Sequence, residues 1–158
     1  MIFGGALSIV VLAPNLAWLA LRPRDAERSA PTAAEPPLSR ALELVGRAGV
    51  LAIPFFYDFA PVAAVERVAI VALLIAVALY YACWVRYFVG GRREASLYAP
   101  LFGLPLPMAV APVVVFCLGA VLLRSIPLAV AALVLGVSHV PLSHMRAKRS
   151  DGSSSPRP

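Results

Sequence analysis

Long apolar blocks that are nearly free of charge recur along this chain, each about 18 to 22 residues, and they constrain its fold more than any other feature. A helix of about 20 residues matches a hydrocarbon core of roughly 30 Å. A soluble domain of this size has no interior large enough to hide five such blocks. Only 14% of the 158 residues are charged, against about a quarter in soluble domains. The expected fold class is therefore an all-α integral membrane protein, a small bundle of about five transmembrane helices.

The spans are expected at 2–21, 48–65, 68–89, 104–123 and 126–145, within one domain covering 1–145. Residues 2–21 have no basic residues ahead of them, which predicts a retained span instead of a cleaved leader. Residues 22–38 are rich in Pro, Ala and charge and are expected to form a flexible loop. Ser39 is the expected N-cap of an amphipathic, interfacial entry to the second span. Glu66 and Arg67 separate the second span from the third in a tight hairpin. Pro100, Pro105, Pro107 and Pro112 crowd the fourth, which predicts a proline-broken helix with Leu97 to Gly103 at the interface. The basic tail 146–158 is low in complexity and is expected to be disordered.

Charge placement orients these spans. Of the 14 Lys and Arg residues, Arg22, Arg24, Arg28, Arg40, Arg47, Arg86, Arg92, Arg93, Arg146, Lys148, Arg149 and Arg157 fall on one side of the predicted topology. Only Arg67 and Arg124 fall on the other. The positive-inside rule then places the N-terminus outside and the C-terminus in the cytoplasm, in a plasma or inner membrane. The same distribution accounts for the net charge of +6 without a nucleic-acid partner, because the cations form no continuous basic face. Aromatics obey the same frame, with Trp18, Trp84 and Tyr87 near inner ends and Phe55, Phe56, Tyr57 and Phe59 near the outer end of the second span.

Polar residues inside apolar spans are the candidate functional groups, since each is costly to bury in lipid. Asn15 and His139 lie at matching depth, about 9 Å from the inner ends of their spans, and with Arg86 and Ser138 they form a candidate inner-leaflet cluster. Pro14, Pro112 and Pro141 each displace a helical carbonyl that then needs a donor. His139 is expected to bond the Val137 carbonyl that Pro141 releases. Arg92, Arg93 and His144 are candidate contacts for phosphates or headgroups. Asp58, on the outer side, is expected to pair with Arg67 or Arg124 or to line an outer cavity.

The two Ser-His dipeptides at 138–139 and 143–144 are not expected to form a triad, because sequence neighbours diverge around a helix and no acid is evident beside them. Too few His, Cys, Asp and Glu share a depth to predict a metal site or cofactor. Cys83 and Cys117 read as ordinary buried thiols. Helix association in lipid requires close approach through small residues. Ala69, Ala72 and Ala76 in the third span, and Ala129, Ala132 and Gly136 in the fifth, supply two such faces, expected to touch each other or a partner in a homo- or hetero-oligomer.

Three function classes fit these features. The first is a non-catalytic subunit, assembly factor or partner-binding module in the lipid bilayer. The alternative is an intramembrane enzyme acting on a lipid or prenyl ligand at the cytoplasmic leaflet, with His139 as acid or base. The third is a small proton- or ion-coupled transporter that uses Asp58 and His139 as stations.

Overall fold

The computed structural model describes residues 2–24, 36–59, 64–101 and 103–153. Among these the chain is helical, with one isolated bridge between Leu101 and Leu104 as its sole β feature. The helices are α1 (Ile2–Ala20), α2 (Pro37–Ala52) continued by a 3-10 turn (Ile53–Phe56), α3 (Ala64–Val89), α4 (Glu94–Tyr98), α5 (Pro107–Leu122) and α6 (Ile126–Ser153). Three stretches are long and apolar enough to cross a membrane: Phe3–Ala20, Ala64–Val89 and Ile126–Lys148.

Helix α3 is the longest of these three stretches and is apolar on both sides of its axis. Its inward stripe is Glu66, Ala69, Leu73, Ala76, Tyr80, Cys83, Trp84 and Tyr87, a spacing of three and four that keeps one side toward the bundle. Its outward side is apolar too, with Val68 70%, Leu74 62% and Ile75 57% exposed. A helix apolar all round has the character of a membrane span or of a helix inside a large core. Helix α6 repeats the pattern, burying Leu128, Ala132 and Leu135 while exposing Val130, Leu133 and Val137.

The segments lie side by side and share two ends. At one end, stacked rings of Phe3 and Phe59 at 4.4 Å bring the residues after the 3-10 turn to the start of α1. There Arg124, in left-handed conformation at the close of α5, places Nε and Nη2 at 2.9 and 2.6 Å from Glu66 Oε1 at the start of α3. At the other end Tyr87 donates to the Leu21 carbonyl at 2.9 Å, and the Arg24 N–H donates to the Arg92 carbonyl at 3.0 Å. Glu43, Tyr87, α4 and the second half of α6 belong to this latter end.

Several sequence-level boundaries differ from the structure. Residues 48–65 are not one helix: the helix closes at Ala52, tightens to 3-10 geometry around Pro54, and is extended at Tyr57. Pro61 lies outside the described residues. Helix α2 starts at Pro37, not Ser39, because the fixed φ of proline suits a first helical position. In the proline-rich fourth block, Gly103 and Leu106 take positive φ, and a regular helix starts only at Pro107 and continues through Pro112 to Leu122. Helix α6 continues past Met145 to Ser153, held at Arg146 by a contact to α2. Of the predicted loop 22–38, residues 25–35 lie outside the described residues, as do 154–158 of the predicted tail.

The two small-residue faces do not meet. Helix α5 lies between α3 and α6 and packs on both. Ala69, Ala76 and Ala132 are buried, and Gly136 faces Val113 of α5, so these faces are used inside the protomer. Helix α6 instead approaches α2 closely. A Cβ on Gly46 would stand 2.7 Å from the Leu135 backbone nitrogen, so only glycine permits that separation.

Candidate functional site

The site grows from one stripe of α2. Glu43, Gly46 and Val50 are its buried residues, spaced so that all three face α6. Gly46 brings the two backbones together, and Glu43, one turn earlier, is carried into the interface at 6% exposure. A carboxylate taken out of water costs several kcal/mol unless paired. Here it has three partners. His139 Nδ1 lies 2.7 Å from Oε1, Arg47 Nη2 donates to the same oxygen at 2.7 Å, and Arg146 Nη2 donates to Oε2 at 3.3 Å. Arg47 Nη2 is also 3.4 Å from His139 Nδ1.

This cluster forms one wall of an open cavity of about 460 Å³ lined by residues of α1, α2, α3, α4, α5 and α6. Its volume falls in the range of small-molecule sites. Most of the lining is apolar, including Leu12, Leu51, Met108 and Phe116, while Arg47, His139, Ser143 and Arg146 supply polar groups on one side. The side chains of Arg47 and Arg146 are 50% and 30% exposed, which marks the open rim. Trp18 and Trp84 line the cavity as well. The buried Trp18 Nε1 has no hydrogen-bond partner among the described residues.

Across the cavity, Asn15 Nδ2 donates to Tyr80 Oη at 2.7 Å and to the Val11 carbonyl at 2.8 Å. Tyr80 Oη in turn donates to Val11 at 3.1 Å. The neighbouring Tyr81 hydroxyl donates to the Val10 carbonyl at 2.8 Å. Val10 is four residues before Pro14, so its carbonyl has lost its helical donor. A tyrosine of α3 supplies the replacement.

The predicted inner cluster is thus brought together in part. Asn15 and His139 share the cavity. Ser138 turns its hydroxyl to the Val134 carbonyl at 2.8 Å, a bond within its own helix. His139 meets the Glu43 carboxylate and not the Val137 carbonyl. Arg86 clamps the loop after α4, donating to Pro100, Ser96 and Ala99 carbonyls at 2.8, 3.1 and 2.6 Å. That use gives it a structural task.

Arg92 and Arg93 frame the turn into α4: Arg92 has φ 56° and donates its N–H to Tyr87 at 3.0 Å, and Arg93 is the N-cap. His144 is exposed. At the far end Asp58 accepts the Phe59 N–H at 3.0 Å, and Arg67 is exposed there. Arg124, one expected partner of Asp58, is taken by Glu66. Among the described residues no group of three or more His, Cys, Asp or Glu could hold a metal ion.

Sequence reasoning overlooked Glu43 and set Ser143 aside because no acid was evident beside it. The signal for Glu43 was present, because it shares an i, i+3, i+7 stripe with Gly46 and Val50 and stands four residues before Arg47. No such local signal tied Ser143 to a buried acid. No protein-family model, curated protein or solved structure matches this chain.

Proposed function

We propose that this chain is a multi-pass protein of a plasma or inner membrane that holds an amphipathic, anionic-headed lipid in the cavity between its helices. Five crossings, with the N-terminus outside and the C-terminus cytoplasmic, are part of this reading. Five helical segments of alternating direction support it: α1, α2 with its 3-10 turn, α3, α5 and α6. The basic bias toward the cavity's end supports the orientation. A lipid reaching the cavity then comes from the cytoplasmic leaflet, and the crowded prolines before α5 act as an irregular entrance instead of a mid-span break.

The observation that carries the proposal is the cavity itself: about 460 Å³, mostly apolar, with Arg47 and Arg146 at its open rim. An acyl chain suits the lining, and a phosphate suits a guanidinium fork. Arg47 uses Nη2 on Glu43 and is half-exposed, so its outer N–H groups face the ligand's approach. A pure scaffold has no need of such a space. For a transporter, a polar route to Asp58 is required, and that half of the bundle is filled by Leu7, Leu122 and Leu128.

Both tryptophans of the chain line the cavity, which makes the test optical. Phosphatidic acid with brominated chains, titrated into the full chain in detergent micelles, should quench tryptophan emission saturably. Brominated phosphatidylcholine should do so at least about tenfold more weakly, and Arg47→Ala should remove that preference. Equal, non-saturating quenching by both lipids would overturn the proposal. A reporter fused after Pro158 tests orientation: activity only as a cytoplasmic reporter is expected, and external activity would overturn it.

A further inference from the structure

We propose that the cavity is also a reaction centre, in which Ser143, His139 and Glu43 hydrolyse a carboxylic ester of the bound lipid. This rests on the lipid-binding reading and extends it from holding a ligand to transforming one. Its elements come from two helices that the sequence does not link. The Glu43 carboxylate, 2.7 Å from His139 Nδ1, fixes that nitrogen as the protonated one and leaves Nε2 as the base. Ser143 stands four residues after His139, one turn on the same helical face, and both line the cavity. Ser138 differs, since its hydroxyl is used on Val134.

Depth along α6 matches the ligand. From the rim inward the cavity meets Arg146, Ser143, His139 and Leu135, so the nucleophile lies about 4.5 Å beneath the guanidinium's residue. In a glycerophospholipid the ester carbonyls lie a few bonds below the phosphate. A phosphate at Arg47 and Arg146 therefore brings an ester to Ser143, with the acyl chain among Leu12, Leu51, Met108 and Phe116. The buried Trp18 Nε1–H, unpartnered among the described residues, is a donor for the oxyanion that develops on the attacked carbonyl.

The reaction balances with water as co-reactant. Ser143 Oγ attacks the ester carbonyl carbon while its proton passes to His139 Nε2. The tetrahedral adduct then expels the glycerol oxygen, which takes that proton and leaves as the alcohol. Water entering from the rim gives a proton to His139, attacks the acyl-serine, and releases the fatty acid as Ser143 recovers its hydrogen. No oxidant, metal or nucleotide enters the balance. Glu43 is a positioning residue, because it acts through His139.

The experiment uses the full chain in mixed micelles with dioleoyl phosphatidic acid, scoring released oleate by mass spectrometry. A fluorophosphonate probe is applied in parallel and its adduct mapped by peptide sequencing. Expected are oleate release and an adduct on Ser143, both lost in Ser143→Ala, while that variant keeps saturable quenching by the brominated lipid. Glu43→Gln should lower kcat at least about 100-fold with KM little changed. Hydrolysis that survives Ser143→Ala overturns the inference, as does an equal loss of binding and rate in Glu43→Gln. Saturable quenching with neither oleate nor adduct overturns the inference and leaves lipid binding standing; loss of quenching as well overturns both.

Discussion

Replacing Gly46 by alanine separates two opposed effects, and the structure decides their sign. Alanine is about 1 kcal/mol better than glycine inside a helix, so α2 alone predicts stabilisation. The added Cβ, however, would stand 2.7 Å from the Leu135 nitrogen, 2.8 Å from its Cα and 3.0 Å from its Cβ. Ordinary contact starts near 3.4 Å, so α6 must retreat by about 0.7 Å, and its backbone cannot rotate away as a side chain would. Overpacking of this kind costs about 1–3 kcal/mol.

The same retreat acts one turn away on the 2.7 Å contact between Glu43 and His139, stretching it to about 3.4 Å, beyond useful hydrogen-bond length. A hydrogen bond to a charged group contributes about 1.5–3 kcal/mol. Subtracting the propensity gain leaves a net loss of about 1.5 to 5 kcal/mol, centred near 3. Reversible unfolding in mixed micelles with increasing SDS measures this directly. Gly5→Ala is the matched comparison. Its Cβ would meet only the Phe55 ring edge at 2.9 Å, and that ring is 44% exposed and free to swing, so a change of less than about 1 kcal/mol is expected. A Gly46→Ala protein as stable as wild type would refute the close-approach argument and the coupling of packing to the site.

Tyr81→Phe should cost about 1 kcal/mol by leaving the Val10 carbonyl without its donor, and the cost should vanish in a Pro14→Ala background, where the helical N–H returns; a double-mutant cycle with no coupling would sink this account. Arg86→Ala removes three carbonyl contacts and should destabilise by about 2 kcal/mol or more, with faster protease cleavage between residues 90 and 106 as the specific readout. Diethylpyrocarbonate should modify exposed His144 well before His139, whose side chain is 16% exposed and bonded to Glu43; equal rates in peptide mass spectra would contradict the packing of α6.

How much was legible follows the range of the physics involved. Burial of apolar surface is additive along a chain, so three long helices and the all-helical class could be read from blocks of Val, Leu, Ile and Ala. Relative position along each helix could be read as well, since helical rise is uniform, and Asn15 and His139 both line the cavity. Helix ends near proline were harder to read. Pro37 starts a helix, Pro112 is absorbed within one, and Pro54 sits where α2 tightens into a 3-10 turn, because each outcome depends on which neighbour satisfies the freed carbonyl.

Pairings between helices were not legible at all. Two faces of small residues look alike in sequence, and nothing local reveals that α5 separates α3 from α6 or that Gly46 lets α2 close on Leu135. Rotation of α2 about its axis then turns Glu43 from one residue of an amphipathic segment into the buried acid beside His139. The sequence by itself determined which segments are apolar enough to cross a membrane and how far along its helix each polar group stands, because those depend on composition and helical rise. Only the tertiary structure decided which polar groups meet, because a charge contact of 2.7 Å depends on rotations and separations of helices that are 96 residues apart in the chain.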